Sequence, residues 1–278
     1  THLSLPAPHV SGVSGGKAFR CKFWGLGGDG TVGANKNTVH ILAEAAGMYA
    51  QAYFEYDAKK SFGITKSHLR FSKEPIMGSY FVKRAEFVAC HNQSYIRQYD
   101  MVSELKSGGI FLLNCQWKGK ELEDNLPGDV KRYMARKHIR FYTIDATDIA
   151  LRLGLGSHTN TVLQAAFFAI TGLIPAEEAL DRMKEAARKS YFTKGDDVVA
   201  RNIAAIEAGA DVLMLPYFKT AAEVQTFLDL VDGRVKTMLL VETPEAVAVI
   251  DEILSLDGID EVHIGLNDLS LGYGMRFM

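Results

Sequence analysis

Cysteine is scarce. Three residues, Cys21, Cys90 and Cys115, stand far apart, and no CxxC occurs anywhere. That spacing excludes a conventional iron–sulfur or structural zinc motif within the chain and fits a reducing cytoplasm. An excess of charge of either sign is also missing: the formal net charge is −2, which argues against nucleic-acid binding as the main activity. No apolar run approaches the roughly 20 residues that span a bilayer, and no basic start with an apolar core marks a signal peptide. A partner among nucleic acids or membranes is therefore not expected. What is present, 47% hydrophobic and 23% charged residues, suits a globular protein with a sizeable core. The chain starts at Thr1 and stops at "GYGMRFM", just after a strand-like segment, so the expectation is a fragment cut at both ends.

The order of apolar segments gives the fold class. Residues 1–20 are rich in Ser, Gly and Pro without periodicity and read as a linker. "CKFWGLG" (21–27) reads as a buried strand, and 33–48 has helical spacing. Strands are expected at 51–57, 68–72, 85–91, 109–115 and 139–146, with a helix from Ser94 to about Lys106. Alternating strands and helices imply an α/β fold, a Rossmann-like, mainly parallel sheet with helices on both faces. From Asp148 to about Gly209 the pattern is helical, and three apolar strands follow at 210–216, 235–243 and 260–268. Helices at about 220–231 and 244–255 separate them. The chain thus divides into a linker, a unit at 21–209 and a second β/α unit at 210–278.

The stretch "CKFWGLGGDGTVGANKN" (21–37) runs from a strand through glycines 25, 27, 30 and 33 into a helix. Such a turn leaves N–H groups pointing at an anion at the helix N-terminus; close strand–helix packing is the plain alternative. A dinucleotide would need an acid at the end of the second strand, and Asp57 is available, but Lys59 and Lys60 follow it. Thiamine diphosphate is suggested by "GDG" at 28–30, yet the paired asparagine expected some 25–30 residues later is missing from "FEYDAKKS". A different phosphate-rich ligand remains, with backbone donors from Gly28, Asp29, Gly30, Thr31 and Val32 and a charge from Lys60. Cys90 and His91, at a strand end, are taken as structural.

In the second unit, Glu242 closes one strand and Asp268 lies just beyond the next. In a parallel sheet both carboxylates emerge at the C-terminal edge, where they could share Mg²⁺ or Mn²⁺. A helix-capping Asp and an unrelated surface Glu would fit the spacing equally well.

Two resemblances extend these readings. "FWGLGGDGTVGANKN", "YFEYDAKKSFGITKSHLRFS", "FVACHNQSYIRQYD", "GGIFLLNC" and "RFYTIDATDIALRLGLG" resemble the γ domain of pyruvate:ferredoxin (flavodoxin) oxidoreductases over about residues 17–209. The resemblance implies part of an oligomeric enzyme that oxidatively decarboxylates a 2-oxo acid on thiamine diphosphate and magnesium. It passes electrons through iron–sulfur clusters to ferredoxin or flavodoxin and gives the acyl group to coenzyme A. Thiamine and clusters would sit in other domains or subunits, while the γ domain contributes to the coenzyme A site. By motif this carries over to Gly28–Val32, Lys60, Asn160 in "GLGSHTN" and Asn202 in "VVARN"; His158 stands where the family usually has an arginine. Without the resemblance, Asn160 reads as the cap of a helix beginning near Thr161, and Asn202 as an ordinary exposed helix residue. "GADVLMLP", "VETPEAV" and "GLNDLSLGYGM" are similar to HpcH/HpaI aldolase/citrate lyase (β/α)₈ barrels over about 205–278. That likeness implies a metal on Glu242 and Asp268. An incomplete barrel is expected to have no aldolase activity, and a seam inside the apolar segment "AIEAGADVL" implies a composite chain.

Overall fold

The computed structural model describes residues 18–45, 47–57, 63–78, 81–209, 212–215, 218–231, 236–264, 269–270 and 272–274. Successive residues along the central strands point to opposite sides, and both sides are apolar. In β1 (Phe19–Leu26), Cys21 and Phe23 join one buried cluster and Trp24 the other. β4 (Ala85–Cys90) and β5 (Leu105–Asn114) divide in the same way. Phe87, Ala89, Ile110 and Leu112 face the first core, and Val88, Cys90, Phe111 and Leu113 face the second.

Strands apolar on both faces require cover on both. One face is covered by α1 (Thr31–Ala45), α5 (Asn160–Thr171), α6 (Ala176–Tyr191) and α7 (Asp196–Ala208), which contribute Leu42, Phe167, Met183 and Ile206 to the first core. Across the sheet, α2 (Gly119–Asn125) and α3 (Gly128–Arg136) bury Leu122, Val130 and Met134. A short α4 (Ala146–Arg152) links the last strand of the sheet, β6 (Arg140–Ile144), to α5.

The sheet order is β2–β3–β1–β4–β5–β6, where β2 is Tyr49–Tyr56 and β3 is Ile64–Ser72. Neighbours from β1 to β6 are parallel, whereas β3 runs antiparallel to both β1 and β2. A mainly parallel sheet is therefore observed, with one strand reversed. Chain length explains the reversal: residues 57–63 are too few for the crossover of about a dozen that a parallel return demands.

The helix expected from Ser94 to about Lys106 does not form. Two 3₁₀ turns, Gln93–Arg97 and Val102–Glu104, stand in its place, and β5 starts at Leu105. Side chains that bond their own backbone cause the break. Asn92 accepts the Ser94 N–H at 3.0 Å, and Asp100 accepts the Ser103 N–H at 3.2 Å.

Beyond α7, β7 (Val212–Leu215), β8 (Lys236–Val241) and β9 (Glu261–Ile264) form a parallel three-stranded sheet in sequential order. α8 (Ala221–Val231), α9 (Pro244–Ala248) and α10 (Ile250–Leu254) lie between the strands, and the helix expected over 244–255 is interrupted at Val249. Leu215, Phe218, Val224, Leu239 and Ile253 belong to the same apolar cluster as Phe23 and Phe167. Among the described residues no helix is long and apolar enough to cross a membrane.

Candidate functional site at the glycine turn

β1 hands the chain to α1 on one face of the sheet. β4 hands it to 3₁₀ turns whose Tyr95, Ile96 and Val102 pack on the other face. The C-terminal ends of β1 and β4 are therefore the topological switch point, where open α/β sheets build their ligand crevice. Residues 27–30 lie at that point, and two of them have positive φ, Gly28 at 96° and Gly30 at 86°.

The turn spends several of its own donors. The Asp29 N–H bonds Leu26 O at 3.0 Å. The Asp29 carboxylate accepts the Leu26 N–H through Oδ2 and the Thr31 N–H through Oδ1, each at 2.8 Å. It thereby caps α1 with a negative charge, as helix N-termini favour. Of the five expected backbone donors, Gly28, Gly30 and Val32 have no acceptor among the described residues.

Two distant segments complete the site. Gln164 Nε2 donates to Thr38 Oγ1 at 3.0 Å, a buried bond that fixes α5 against α1. It brings Asn160 over the turn: a Cβ built on Gly30 would lie 2.8 Å from Asn160 Cγ. Asn160 is the first residue of α5 rather than its cap, and its side chain makes no hydrogen bond among the described residues. Asn202 is buried, donating through Nδ2 to Val198 O at 2.9 Å and accepting from Thr161 Oγ1 at 3.3 Å. Its amide thus braces the residue next to Asn160. His158 is exposed, and its Nδ1–H donates to Leu155 O at 2.9 Å. Lys60 lies outside the described residues.

Gly30→Ala tests this packing. Left-handed backbone costs an L-residue about 1–2 kcal/mol, and the new methyl would also push Asn160 aside. We expect a urea-unfolding loss of about 2 kcal/mol. Asn160→Ala in the same background should recover only the contact part, since the φ penalty remains.

Sequence reasoning set His91 aside as structural, yet its ring reaches the turn: Nδ1 lies 2.7 Å from Thr31 Oγ1. A position just past a parallel strand at the switch point was the available signal. The cysteines do not compete for a chemical role. Burial pushes the thiols of Cys90 and Cys115 up to about 12, and that of Cys21 well above its usual range. Because the thiolate is the reactive form, the folded protein should not react with a disulfide reagent at pH 8. All three thiols should react after denaturation; labelling of the native chain would contradict the burial described.

In the second sheet, Glu242 follows β8 directly and is buried. β9 is its parallel neighbour, but Asp268 lies outside the described residues. Among the described residues no group of three or more His, Cys, Asp or Glu side chains is placed to hold a metal ion.

The profile of the pyruvate ferredoxin/flavodoxin oxidoreductase family matches residues 20–212, and that of HpcH/HpaI aldolase/citrate lyase matches 192–276. The pyruvate-flavodoxin oxidoreductase of Klebsiella pneumoniae is 51% identical over 210 residues, 75% of this chain but 18% of that protein. The chain thus spans under a fifth of that relative's length. Pyruvate oxidoreductase subunit PORC of Thermotoga maritima shares the fold, with a TM-score of 0.54 at 22% identity, over 70% of this chain and 96% of that one. So does the 2-oxoglutarate:ferredoxin oxidoreductase of Magnetococcus marinus, solved with 2-oxoglutarate, coenzyme A and succinyl-CoA bound. Its TM-score is 0.53 at 17% identity, over 90% of this chain and 43% of that one. With more than half of its 278 residues matched by one profile, the chain belongs to the pyruvate ferredoxin/flavodoxin oxidoreductase family.

Proposed function

We propose that the chain is the γ portion of a cytoplasmic, oligomeric 2-oxo acid oxidoreductase that acts on pyruvate, and that it supplies part of the coenzyme A site. One observation supports this above others. The Gly28–Val32 turn lies at the β1/β4 switch point, three of its amides lack an acceptor among the described residues, and the Asn160 amide rests against Gly30. Coenzyme A carries a diphosphate and a 3′-phosphate, and backbone N–H groups at a helix start, with a lysine, answer that charge. The Asp29 carboxylate opposes an anion at the same place, which makes a countercharge from Lys60 necessary.

Thiamine diphosphate does not fit this turn, because the second half of its motif is missing. It and the iron–sulfur clusters belong to other domains or subunits, which also pass electrons to ferredoxin or flavodoxin. The three C-terminal strands among the described residues are fewer than the eight of a (β/α)₈ barrel, and no lyase chemistry is proposed for them.

Calorimetric titration of the chain with coenzyme A tests the reading. Binding should weaken as salt rises, and about tenfold on Lys60→Ala, the scale of one hydrogen bond to a charged group. No heat with coenzyme A, but heat with an adenine dinucleotide, would reject it.

A further inference from the structure

His91 is held in place from both sides. Its N–H donates to Trp24 O at 2.9 Å, and its carbonyl accepts from Asn114 Nδ2 at 2.9 Å. Asn114 Oδ1 in turn accepts the Ala146 N–H at 3.0 Å. The main chain at 91 is thus clamped to β1 and to the end of β5. The ring stands edge-on to Phe23, with centroids 6.1 Å apart and planes at 81°. Nδ1 meets the Thr31 hydroxyl, whereas Nε2 has no hydrogen-bond partner among the described residues.

The Thr31 hydroxyl decides which ring nitrogen carries the proton. Thr31 is buried, and its Oγ1 has no other hydrogen-bond partner among the described residues. If Nδ1–H donated to this hydroxyl, the hydroxyl proton would be left without an acceptor, a cost of about 1–3 kcal/mol for a buried donor. If the hydroxyl donates to Nδ1, that donor is satisfied and Nε2 carries the ring proton. Burial favours the neutral ring by holding its pKa below the usual histidine value, while the Asp29 carboxylate pulls the other way.

We propose that His91, held by Thr31 as the Nε2–H tautomer, contacts the ligand of the glycine turn and donates Nε2–H to a phosphate oxygen. This rests on the coenzyme A reading of that turn. A neutral Nε2–H donates to a phosphate oxygen without any proton uptake.

Nitrogen-15 spectra of histidine-labelled full-length chain test the tautomer without ligand. The Nε2–H pattern is expected and should be preserved in Thr31→Ser. Coenzyme A should then move the Nε2 resonance. Two variants separate contact from scaffolding. His91→Asn keeps an acceptor near Nδ1 for Thr31 and should weaken coenzyme A binding about tenfold, whereas His91→Gln places an amide donor near Nε2 and should stay within about threefold. An Nδ1–H tautomer in the free protein overturns the proposal, as does equal affinity of wild type and His91→Asn. Coenzyme A binding with an unmoved Nε2 rejects the role of His91 alone; no binding to wild type rejects the turn reading and this one with it. Should either variant fail to fold, the wild-type spectra still decide.

Discussion

Gly209→Ala should destabilise the protein by about 3 kcal/mol, the upper end of overpacking costs. Gly209 closes α7 with ordinary right-handed backbone, so conformation is not the reason. Space is: a Cβ there would lie 2.4 Å from Val162 O and 3.0 Å from Ala165 Cβ on α5. A carbonyl oxygen in a helix cannot rotate away, so the two helices would have to separate. Around this contact the neighbours Ala165 and Ala205 are both fully buried and small. The site also lies in 192–212, the stretch that both family profiles match. The substitution therefore probes whether the segment shared by the two likenesses packs on α5. Gly33→Ala is the control: nothing lies within 4 Å of the added methyl, and alanine in a helix should gain about 0.5–1 kcal/mol. Denaturant titration reads both, and a loss below about 1 kcal/mol at 209 would mean that α5 and α7 do not meet this closely.

The legible parts of this molecule are those that local pattern controls. Continuous apolar runs such as "GIFLLNC" announced buried strands, and the mostly apolar "NTVLQAAFFAIT" fell in the stretch read as helical. The turn at 27–30 was legible because two of its glycines carry positive φ, which few other residues tolerate. What stayed hidden depends on long-range contact. Nothing near Gly30 in the sequence points to Asn160, and nothing near Thr31 points to His91. The reversed β3 was legible in principle, since the link at 57–63 is short. The lost helix at 94–106 shows the opposite failure: a helix was expected there, but Asn92 and Asp100 turned the backbone elsewhere. Charge misleads most. Lys22, His68 and Arg70 carry polar or charged ends that water favours, yet all three are buried on the sheet face of β1 and β3.

That buried face should make stability depend on pH through His68. The ring is 1% exposed. Nδ1 accepts the Val82 N–H at 3.1 Å, so Nε2 carries the ring proton, 3.3 Å from a carboxylate oxygen of Glu55. Burial lowers the His68 pKa to about 4, helped by Lys22 and Arg70 and opposed by Glu55. Protonating Nδ1 would set two donors against each other at Val82, which is why the native ring resists a second proton. The unfolded chain has no such constraint and takes up the proton near pH 6.5. Between about 6.5 and 4 the unfolded state therefore binds more protons than the native one, and stability falls as pH falls. The contribution of His68 is complete above 6.5; about 2 kcal/mol of it is lost by pH 5 and about 3 kcal/mol below 4. Glu55 acts lower on the scale: burial raises its pKa, but the bonds from Lys66 and His68 outweigh that and hold it below the ordinary value. Its own loss of stability begins only as its carboxylate protonates. His68→Asn keeps an acceptor for the Val82 N–H and removes the titrating ring. Urea unfolding at pH 7.5 and pH 5 should show the wild type losing about 2 kcal/mol more than this variant. Equal losses in the two proteins would mean that His68 titrates normally and that Val82 is not bound to its ring.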